Sequence, residues 1–175
     1  MKIILDSKQI DKILGDLARD IASELGCQKD VAVIGIRSRG EILAQRLSMR
    51  LSKMLDKEVP CGTLDITLYR DDLNSPKGKT QPEVRTTEIG FNIDDTVIIL
   101  VDDVLYTGRS ARAAMDALID LGRPKAIKLA VLVDRPGREL PIKADYTGHR
   151  TDVAHDEIVQ VNLTESDGKE RVFIA

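Results

Sequence analysis

The chain has 175 residues, of which 42% are hydrophobic and 31% are charged, and its formal net charge is −3. These values predict a single soluble globular domain and exclude the strong overall basic charge that favours unspecific binding to nucleic acid. The apolar runs are too short to span a membrane, the first six residues are too short and charged for a signal peptide, and two isolated cysteines suit a reduced, cytoplasmic protein.

The first half of the chain alternates helices with apolar strands. Apolar residues recur at helical spacing over 10–25, with Ser7 as the expected N-cap. A buried strand is predicted at 31–36, and leucines at every fourth position predict a helix at 41–55. Partial alternation of apolar and polar residues predicts a third strand at 64–69.

The second half begins with a long connection at 70–92, which contains two prolines and two glycines. A loop of this length in a compact domain is typically functional or mobile. The elements predicted after it are a strand at 97–101, a helix at 111–121, a strand at 127–133, and short strands at 157–163 and 172–175. This alternation predicts an α/β fold with a central, mostly parallel sheet flanked by helices.

The most informative segment starts at the apolar strand 97–101. Asp102 and Asp103 follow this strand, and a turn from Thr107 to Ser110 opens the next helix. Ligands of open α/β sheets bind at the carboxyl ends of the strands. The carboxylates can accept hydrogen bonds from sugar hydroxyls, and the amides at the helix start can hold a phosphate. The segment therefore predicts a receptor for a phosphorylated sugar.

Two other predicted strands also end in polar loops, Arg37-Ser38-Arg39 and Asp134-Arg135. In a parallel sheet these loops lie at the same edge as the acidic pair and can converge on one ligand. The alternative interpretation is a core strand and a helix joined by an ordinary polar turn. The chain lacks both the Gly-x-x-x-x-Gly-Lys-Ser/Thr and the Gly-x-Gly-x-x-Gly patterns, which weighs against P-loop NTPases and dinucleotide-binding proteins.

The segment Val97–Ser110 resembles the phosphoribosyl pyrophosphate (PRPP) signature of type I phosphoribosyltransferases, with two acids before a Thr-Gly-x-Ser/Thr turn. The stretches 65–73, 104–109 and 132–142 resemble the PyrR family, whose members regulate pyrimidine operons and act as uracil phosphoribosyltransferases. The similarity extends over nearly the whole chain. It implies a type I phosphoribosyltransferase fold with one domain over 1–175, a mobile loop at about 70–92, and a small hood formed by the N-terminal and C-terminal segments.

The resemblance also implies roles for single residues. Asp102 and Asp103 would bind the ribose hydroxyls of PRPP, Asp134 and Arg135 would line the site near the base, and Val161 would belong to the hood over uracil. The residues implied for the 5′-phosphate are Val104, Leu105, Tyr106, Thr107, Gly108, Arg109 and Ser110. The residues implied for the pyrophosphate are Ser38, Arg39 and Arg85.

The implied reaction converts uracil and PRPP to UMP and diphosphate. Mg²⁺ would be bound mainly through PRPP, with no dedicated protein cluster. Tyr106 stands where purine salvage enzymes carry an aspartate, which weighs against a purine substrate. Members of the family self-associate, so a homo-oligomer (a dimer or higher) is expected.

The resemblance further implies a partner, a pyrimidine-operon mRNA leader, bound by a basic face that includes the first helix and the segment after the last core strand. In this chain, that helix carries acidic residues among its basic ones: Asp11, Lys12, Asp16, Arg19, Asp20 and Glu24. Two alternatives therefore stay open beside the bifunctional protein. One is an enzyme without RNA-binding activity, and the other is a related transferase for another base.

Overall fold

The computed structural model describes residues 1–71 and 86–175. Its elements are β1 (Lys2–Asp6), α1 (Ser7–Leu25), β2 (Val31–Ile36), α2 (Arg39–Leu55), β3 (Cys61–Leu64), a 3₁₀ helix (Thr67–Tyr69), β4 (Val97–Leu105), α3 (Arg109–Leu121), β5 (Ala126–Asp134), β6 (Tyr146–Arg150), β7 (Val159–Asn162), α4 (Thr164–Asp167) and β8 (Arg171–Ile174). Within these two ranges, no helix is long and apolar enough to cross a membrane.

The central sheet has the strand order β3-β2-β4-β5-β6, and each neighbouring pair is parallel. The inner strand β2 is buried along its whole length, as expected for a parallel strand covered on both faces. On one face, leucines and isoleucines of α1 and α2 join the core. On the other face, α3 contributes mainly alanines, whose small side chains let the helix lie close to the sheet. The predicted α/β sheet is therefore confirmed.

A second, antiparallel sheet joins the two ends of the chain in the order β1-β8-β7. Its strand β1 leads directly into α1, whose N-cap is Asp6 and not the predicted Ser7. The Asp6 carboxylate accepts a hydrogen bond from the Gln9 amide at 2.9 Å, and the Gln9 side chain accepts one from the Asp6 amide at 2.9 Å. This reciprocal pair satisfies two backbone donors, which fixes the helix start one residue earlier.

The predicted strand at 64–69 is wrong, because β3 ends at Leu64. The Asp65 carboxylate accepts hydrogen bonds from the Thr67 amide at 2.9 Å and from the Thr67 hydroxyl at 2.6 Å. These bonds favour a turn over an extended chain. The segment then forms the 3₁₀ helix instead of continuing the strand.

Strand β4 is longer than predicted, and the acidic pair lies inside it rather than after it. The neighbouring strand β5 also extends further, and it pairs Asp102 with Val131 and Leu105 with Asp134. The edge strand β6, which mixes polar and apolar residues, was not predicted. These differences have the same cause, since pairing among β4, β5 and β6 supplies order that the local residue pattern does not signal.

Candidate functional site

A polar cavity of about 270 Å³ lies at the carboxyl end of β2, beside the acidic pair of β4. The predicted site residues that line it are Ser38, Arg39, Asp102, Asp103, Val104 and Ser110. The fold therefore brings together three segments that are separated in the sequence. They meet at the sheet edge where open α/β folds bind their ligands.

A second cavity, of about 330 Å³, adjoins the first, and Ser110 and Arg70 line both. Its other predicted residues are Tyr106, Thr107 and Arg109. Asp71 and Glu139 also line it. The two cavities together form a polar cleft that runs from the β2 loop to the start of α3, and we refer to it below as the cleft.

The two carboxylates of the acidic pair accept hydrogen bonds from backbone amides of β4. Asp102 accepts a hydrogen bond from the Asp103 amide at 2.9 Å, and Asp103 accepts one from the Val104 amide at 2.8 Å. Burial raises the pKa of Asp102 well above its usual range, and the neighbouring charge of Asp103 raises it further, whereas the Arg70 charge lowers it. The charged form of Asp102 is thus disfavoured in the free protein, and a ligand that donates hydrogen bonds or carries a cation stabilises it.

The turn between β4 and α3 has a backbone that an anion can approach closely. Gly108 is the N-cap of α3 and has a φ of 91°, a left-handed conformation that favours glycine. The Thr107 hydroxyl accepts a hydrogen bond from the Arg109 amide at 3.2 Å. The first turn of α3 offers further amides and the positive end of the helix dipole. Arg109 is paired with Glu139 at 2.6 Å and with Asp71 at the rim of the second cavity.

The loop after β2 is anchored by Arg37, a role that was not predicted from the sequence. Its guanidinium donates to the Thr86 carbonyl at 2.7 Å, to the Glu41 carboxylate at 3.1 Å and to the Thr63 hydroxyl at 3.1 Å. The peptide bond between Arg37 and Ser38 is cis. Arg37 therefore serves as a support for the loop that carries Ser38 and Arg39 to the cleft.

Arg39 forms an ion pair with Asp167 of α4, which lies 128 residues further along the chain. Burial raises the pKa of the Asp167 carboxyl, but hydrogen bonds from Ser166, from the Leu163 amide and from Arg39 outweigh it and bring the pKa to about 2. A carboxyl whose pKa is lower in the folded than in the unfolded protein stabilises the fold at pH values above its unfolded pKa, which is near 3.8.

We expect this carboxyl to contribute about 1–2 kcal/mol at neutral pH, allowing for its partial exposure. The contribution should fall as the pH drops from about 4 towards 2. Urea unfolding at pH 7 and pH 3, of the wild type and Asp167→Asn, measures it. The stability gap between the two proteins should narrow at pH 3, and an equal gap at both pH values would contradict the assignment.

Asp134 and Arg135, which are predicted to line the site near the base, lie at the carboxyl end of β5, where their side chains have partners within the protein. Asp134 is paired with Arg138 at 2.6 Å. The Arg135 side chain is buried, donates to the carbonyls of Glu157 at 2.5 Å and Ala154 at 2.9 Å, and lies 4.0 Å from the centre of the Tyr106 ring. Neither residue lines the two cavities, because their polar groups are used to hold neighbouring segments.

Leu105, Gly108 and Val161 are the other predicted site residues that line neither cavity; Leu105 is buried in the core and Gly108 is the N-cap of α3. Val161 lies in β7, faces Val172 of β8 and is buried in the core, where it lines neither cavity. Arg85 lies outside the described residues, as does most of the predicted loop at 70–92. Conversely, Arg70 lines both cavities but was not among the predicted site residues, although its charge at the start of the predicted loop was a usable signal.

Tyr106 is fixed by a glycine that leaves room for its ring. Gly137 has a φ of 114°, and an added Cβ would lie 2.3 Å from the Tyr106 Cε2 atom. The Tyr106 hydroxyl lies 3.3 Å from His155 Nε2. A side chain at position 137 would therefore have to displace the ring from its place over Arg135.

We expect Gly137→Ala to destabilise the protein by about 2–4 kcal/mol, from overpacking together with left-handed backbone strain. The matched control is Gly168→Ala, since Gly168 also has a positive φ, of 64°, but has nothing within 4 Å of an added Cβ. The control should cost only about 1 kcal/mol in urea unfolding. Equal losses in the two variants would mean that the Tyr106 ring is not tightly held.

Comparison with known proteins identifies the family of this chain over nearly its whole length. The family model described as the phosphoribosyl transferase domain matches residues 1–167. The chain is 50% identical over 171 residues to the bifunctional protein PyrR of Alkaliphilus metalliredigens, which covers 98% of this chain and 93% of the relative. It is 52% identical over 169 residues to the bifunctional protein PyrR of Deinococcus radiodurans, which covers 97% and 91%.

Solved structures show the same fold at lower identity. The hypoxanthine phosphoribosyltransferase of Trypanosoma cruzi matches with a TM-score of 0.75 and 17% identity, over 99% of this chain and 95% of that chain. A hypoxanthine phosphoribosyltransferase of Staphylococcus aureus matches with a TM-score of 0.68 and 20% identity, over 96% and 88%. At these identities the likeness establishes the fold alone, which is the predicted type I phosphoribosyltransferase fold.

Proposed function

Because this chain belongs to the PyrR family of phosphoribosyltransferases, we propose that it converts uracil and PRPP to UMP and diphosphate and also regulates pyrimidine genes by binding RNA. One observation carries the enzymatic part of the proposal. The acidic pair, the turn at the start of α3 and the loop after β2 all line one polar cleft. This arrangement suits a ribose that carries a phosphate at one end and a diphosphate at the other.

In this proposal the ribose of PRPP lies against Asp102 and Asp103, whose carboxylate oxygens accept hydrogen bonds from its two hydroxyls. The 5′-phosphate lies in the second cavity, against the turn from Thr107 to Ser110. There it receives amide hydrogen bonds and the favourable field of the α3 N-terminus. The raised pKa of Asp102 supports this placement, because hydroxyl donors stabilise a partly buried carboxylate.

The diphosphate end of PRPP lies in the first cavity, against Ser38 and Arg39. Arg85, which lies outside the described residues, is proposed as a further phosphate contact. The oxygen donors of Asp102 and Asp103 suit Mg²⁺, which usually binds through one or two carboxylates together with substrate oxygens. When bound to the diphosphate, Mg²⁺ neutralises part of its charge.

The chain's own contribution to the reaction is electrostatic and positional. As the bond between the sugar and diphosphate breaks, negative charge grows on the leaving group and Arg39 stabilises it. The sugar acquires positive character, which Asp102 and Asp103 stabilise from their fixed positions. We propose that the three-stranded sheet of β1, β7 and β8 is the hood of the single domain, and that it excludes water from the reacting sugar. Most of the loop predicted at 70–92 lies outside the described residues.

The test of the enzymatic part is UMP formation from labelled uracil, PRPP and Mg²⁺, with hypoxanthine, guanine and cytosine as alternative bases. We expect uracil to be the preferred base, because Tyr106 stands where purine salvage enzymes carry a carboxylate. Turnover of another base at a higher kcat/KM would favour the related transferase instead. A protein that neither binds PRPP nor turns over any base would refute the proposal.

The regulatory part of the proposal rests on the similarity to bifunctional PyrR proteins and on one surface feature. The basic residues near α1 are largely neutralised, since Asp16 pairs with both Lys12 and Arg19, and Asp11 pairs with Arg50. A separate cavity of about 460 Å³ beside β6 is lined by two basic side chains, Lys143 and Arg150, and by one acidic side chain, Asp145. We therefore place the RNA contact nearer β6 than α1.

Filter binding to a pyrimidine-operon leader RNA, with and without UMP, tests the regulatory part. We expect UMP to strengthen binding, and affinity to fall steeply with salt because phosphate contacts release counterions. Lys143→Ala should weaken binding and reduce the salt slope by about one unit, while leaving UMP formation unchanged. Weak binding that does not respond to UMP would leave an enzyme without RNA-binding activity.

The remaining parts of the proposal concern the setting of the protein. PRPP and UMP are intracellular metabolites, so we propose that the chain acts in the cytoplasm. We also propose that it assembles into a dimer or a larger homo-oligomer. Large apolar side chains of α2 and α3 that are exposed in the single chain, Met49 and Ile119 among them, support this assembly. Light scattering measures the oligomeric state directly.

A further inference from the structure

The ion pair between Arg39 and Asp167 connects the cleft with α4, which lies between β7 and β8. Arg39 Nη2 donates to one carboxylate oxygen of Asp167 at 2.8 Å, and Arg39 Nε donates to the other at 3.3 Å. The side chains of Arg39 and Asp167 are 34% and 19% exposed, so the pair is only partly screened by solvent. This two-point contact fixes the plane of the guanidinium.

The carboxylate of Asp167 is itself held in place. It accepts a hydrogen bond from the Leu163 amide at 2.9 Å and another from the Ser166 hydroxyl at 2.7 Å. Both bonds go to the Oδ2 atom, which leaves Oδ1 to the close contact with Arg39. Asp167 is therefore a rigid support, and its orientation does not depend on Arg39 alone.

A second arginine of α2 anchors α4 independently. Arg46 follows Arg39 by seven residues, two helical turns, and so lies on the same face of α2. It donates to Glu165 at 2.6 Å and 2.9 Å and to Glu170 at 2.5 Å. Because this contact holds α4 against α2, the Asp167 contact is not needed merely to attach the helix.

The Arg39–Asp167 contact uses one edge of the guanidinium and leaves the third nitrogen, Nη1. No described residue accepts a hydrogen bond from Nη1, and Arg39 lines the first cavity of the cleft. We propose that Asp167 is a positioning residue, which fixes Arg39 so that its remaining N–H groups bind the diphosphate of the substrate. This inference rests on the proposed function, and it assigns a role to a residue outside the cleft.

The proposal predicts a change in diphosphate affinity that is opposite to the change expected from charge repulsion alone. Removing a negative charge close to an anion site would by itself strengthen diphosphate binding. If Asp167 orients Arg39, its removal should instead weaken binding, because the freed guanidinium must lose side-chain freedom when it meets the ligand. The direction of the change therefore separates a positioning role from a competing one.

The experiment is calorimetric titration of the full chain with diphosphate and Mg²⁺, together with steady-state kinetics. We expect Asp167→Asn to weaken diphosphate binding about tenfold and to raise KM for PRPP by a similar factor, with KM for uracil unchanged. Asp167→Glu should recover part of the loss. Ser166→Ala, which removes one support of the carboxylate and keeps the ion pair, should weaken binding about twofold to threefold.

The matched control is Glu165→Gln, which removes a carboxylate from the same helix but leaves the Arg39 contact in place. It should bind diphosphate as the wild type does. Wild-type affinity or tighter binding in Asp167→Asn, or an equal loss in Glu165→Gln, would overturn the positioning role alone. A wild-type protein that binds neither diphosphate nor PRPP would overturn the proposed function and this inference with it.

Discussion

Asp102→Asn is expected to make the free protein more stable and at the same time nearly inactive. Burial beside Asp103 raises the pKa of Asp102 in the folded chain, so the charged form is penalised on folding at neutral pH. Asparagine removes this penalty, and its carbonyl can still accept the hydrogen bond that the Asp103 amide donates at 2.9 Å. We expect a gain on the order of 1 kcal/mol in the free energy of unfolding.

The same substitution should lower kcat/KM for PRPP by at least about a hundredfold, because it removes a charge placed for the transition state. The gain in stability should disappear below about pH 4, where the carboxyl is protonated in the folded and unfolded protein alike. Urea unfolding at pH 7 and pH 3.5 and initial rates at pH 7 measure both effects. A variant that is less stable and fully active would show that Asp102 is an ordinary structural residue.

Gly35→Ala is expected to have the largest effect on stability. Gly35 lies in β2 between Thr63 of β3 and Val101 of β4. An added Cβ would lie 2.3 Å from the carbonyl oxygen of Gly40, and 2.5 Å and 2.7 Å from the Cα and nitrogen of Glu41. All three are backbone atoms, which cannot turn away as a flexible side chain can. We expect a loss of about 3 kcal/mol or more.

The loss should extend to the cleft, because the obstructed segment is the start of α2, which carries Arg39. We therefore expect weaker PRPP binding in any Gly35→Ala protein that folds. Gly90→Ala is the control, since an added Cβ there has nothing within 4 Å. Gly90→Ala should leave the midpoint of urea unfolding nearly unchanged. A Gly35→Ala protein as stable as the control would mean that α2 does not pack on β2 as closely as described.

The sequence was sufficient to predict the parallel sheet and the place of the cleft. The strands 31–36 and 97–101 are nearly all apolar and β-branched, a composition typical of strands buried on both faces. Once the sheet is parallel, its carboxyl edge must collect Arg39, Asp102 and the turn that ends at Ser110. These predictions depend on local pattern and on topology, and both are readable from one sequence.

Other features depend on pairing between distant residues, which local pattern does not signal. The Asp167 contact with Arg39 spans 128 residues. Strand β4 continues through two carboxylates because β5 pairs alongside it. Arg135 is buried, although arginine is usually exposed, because three backbone carbonyls and the Tyr106 ring satisfy its guanidinium. Each of these outcomes required the tertiary structure.

Calorimetric titration of the protein with PRPP and Mg²⁺, without any base, is the most direct measurement of whether one cleft binds a doubly phosphorylated ribose. We predict one site per chain, with binding much weaker in Asp103→Asn and unaffected by replacement of Asp94, which lies before β4 at the opposite end of the strand. Absence of binding, or equal binding by the wild type and Asp103→Asn, would show that the cleft does not bind PRPP through the acidic pair.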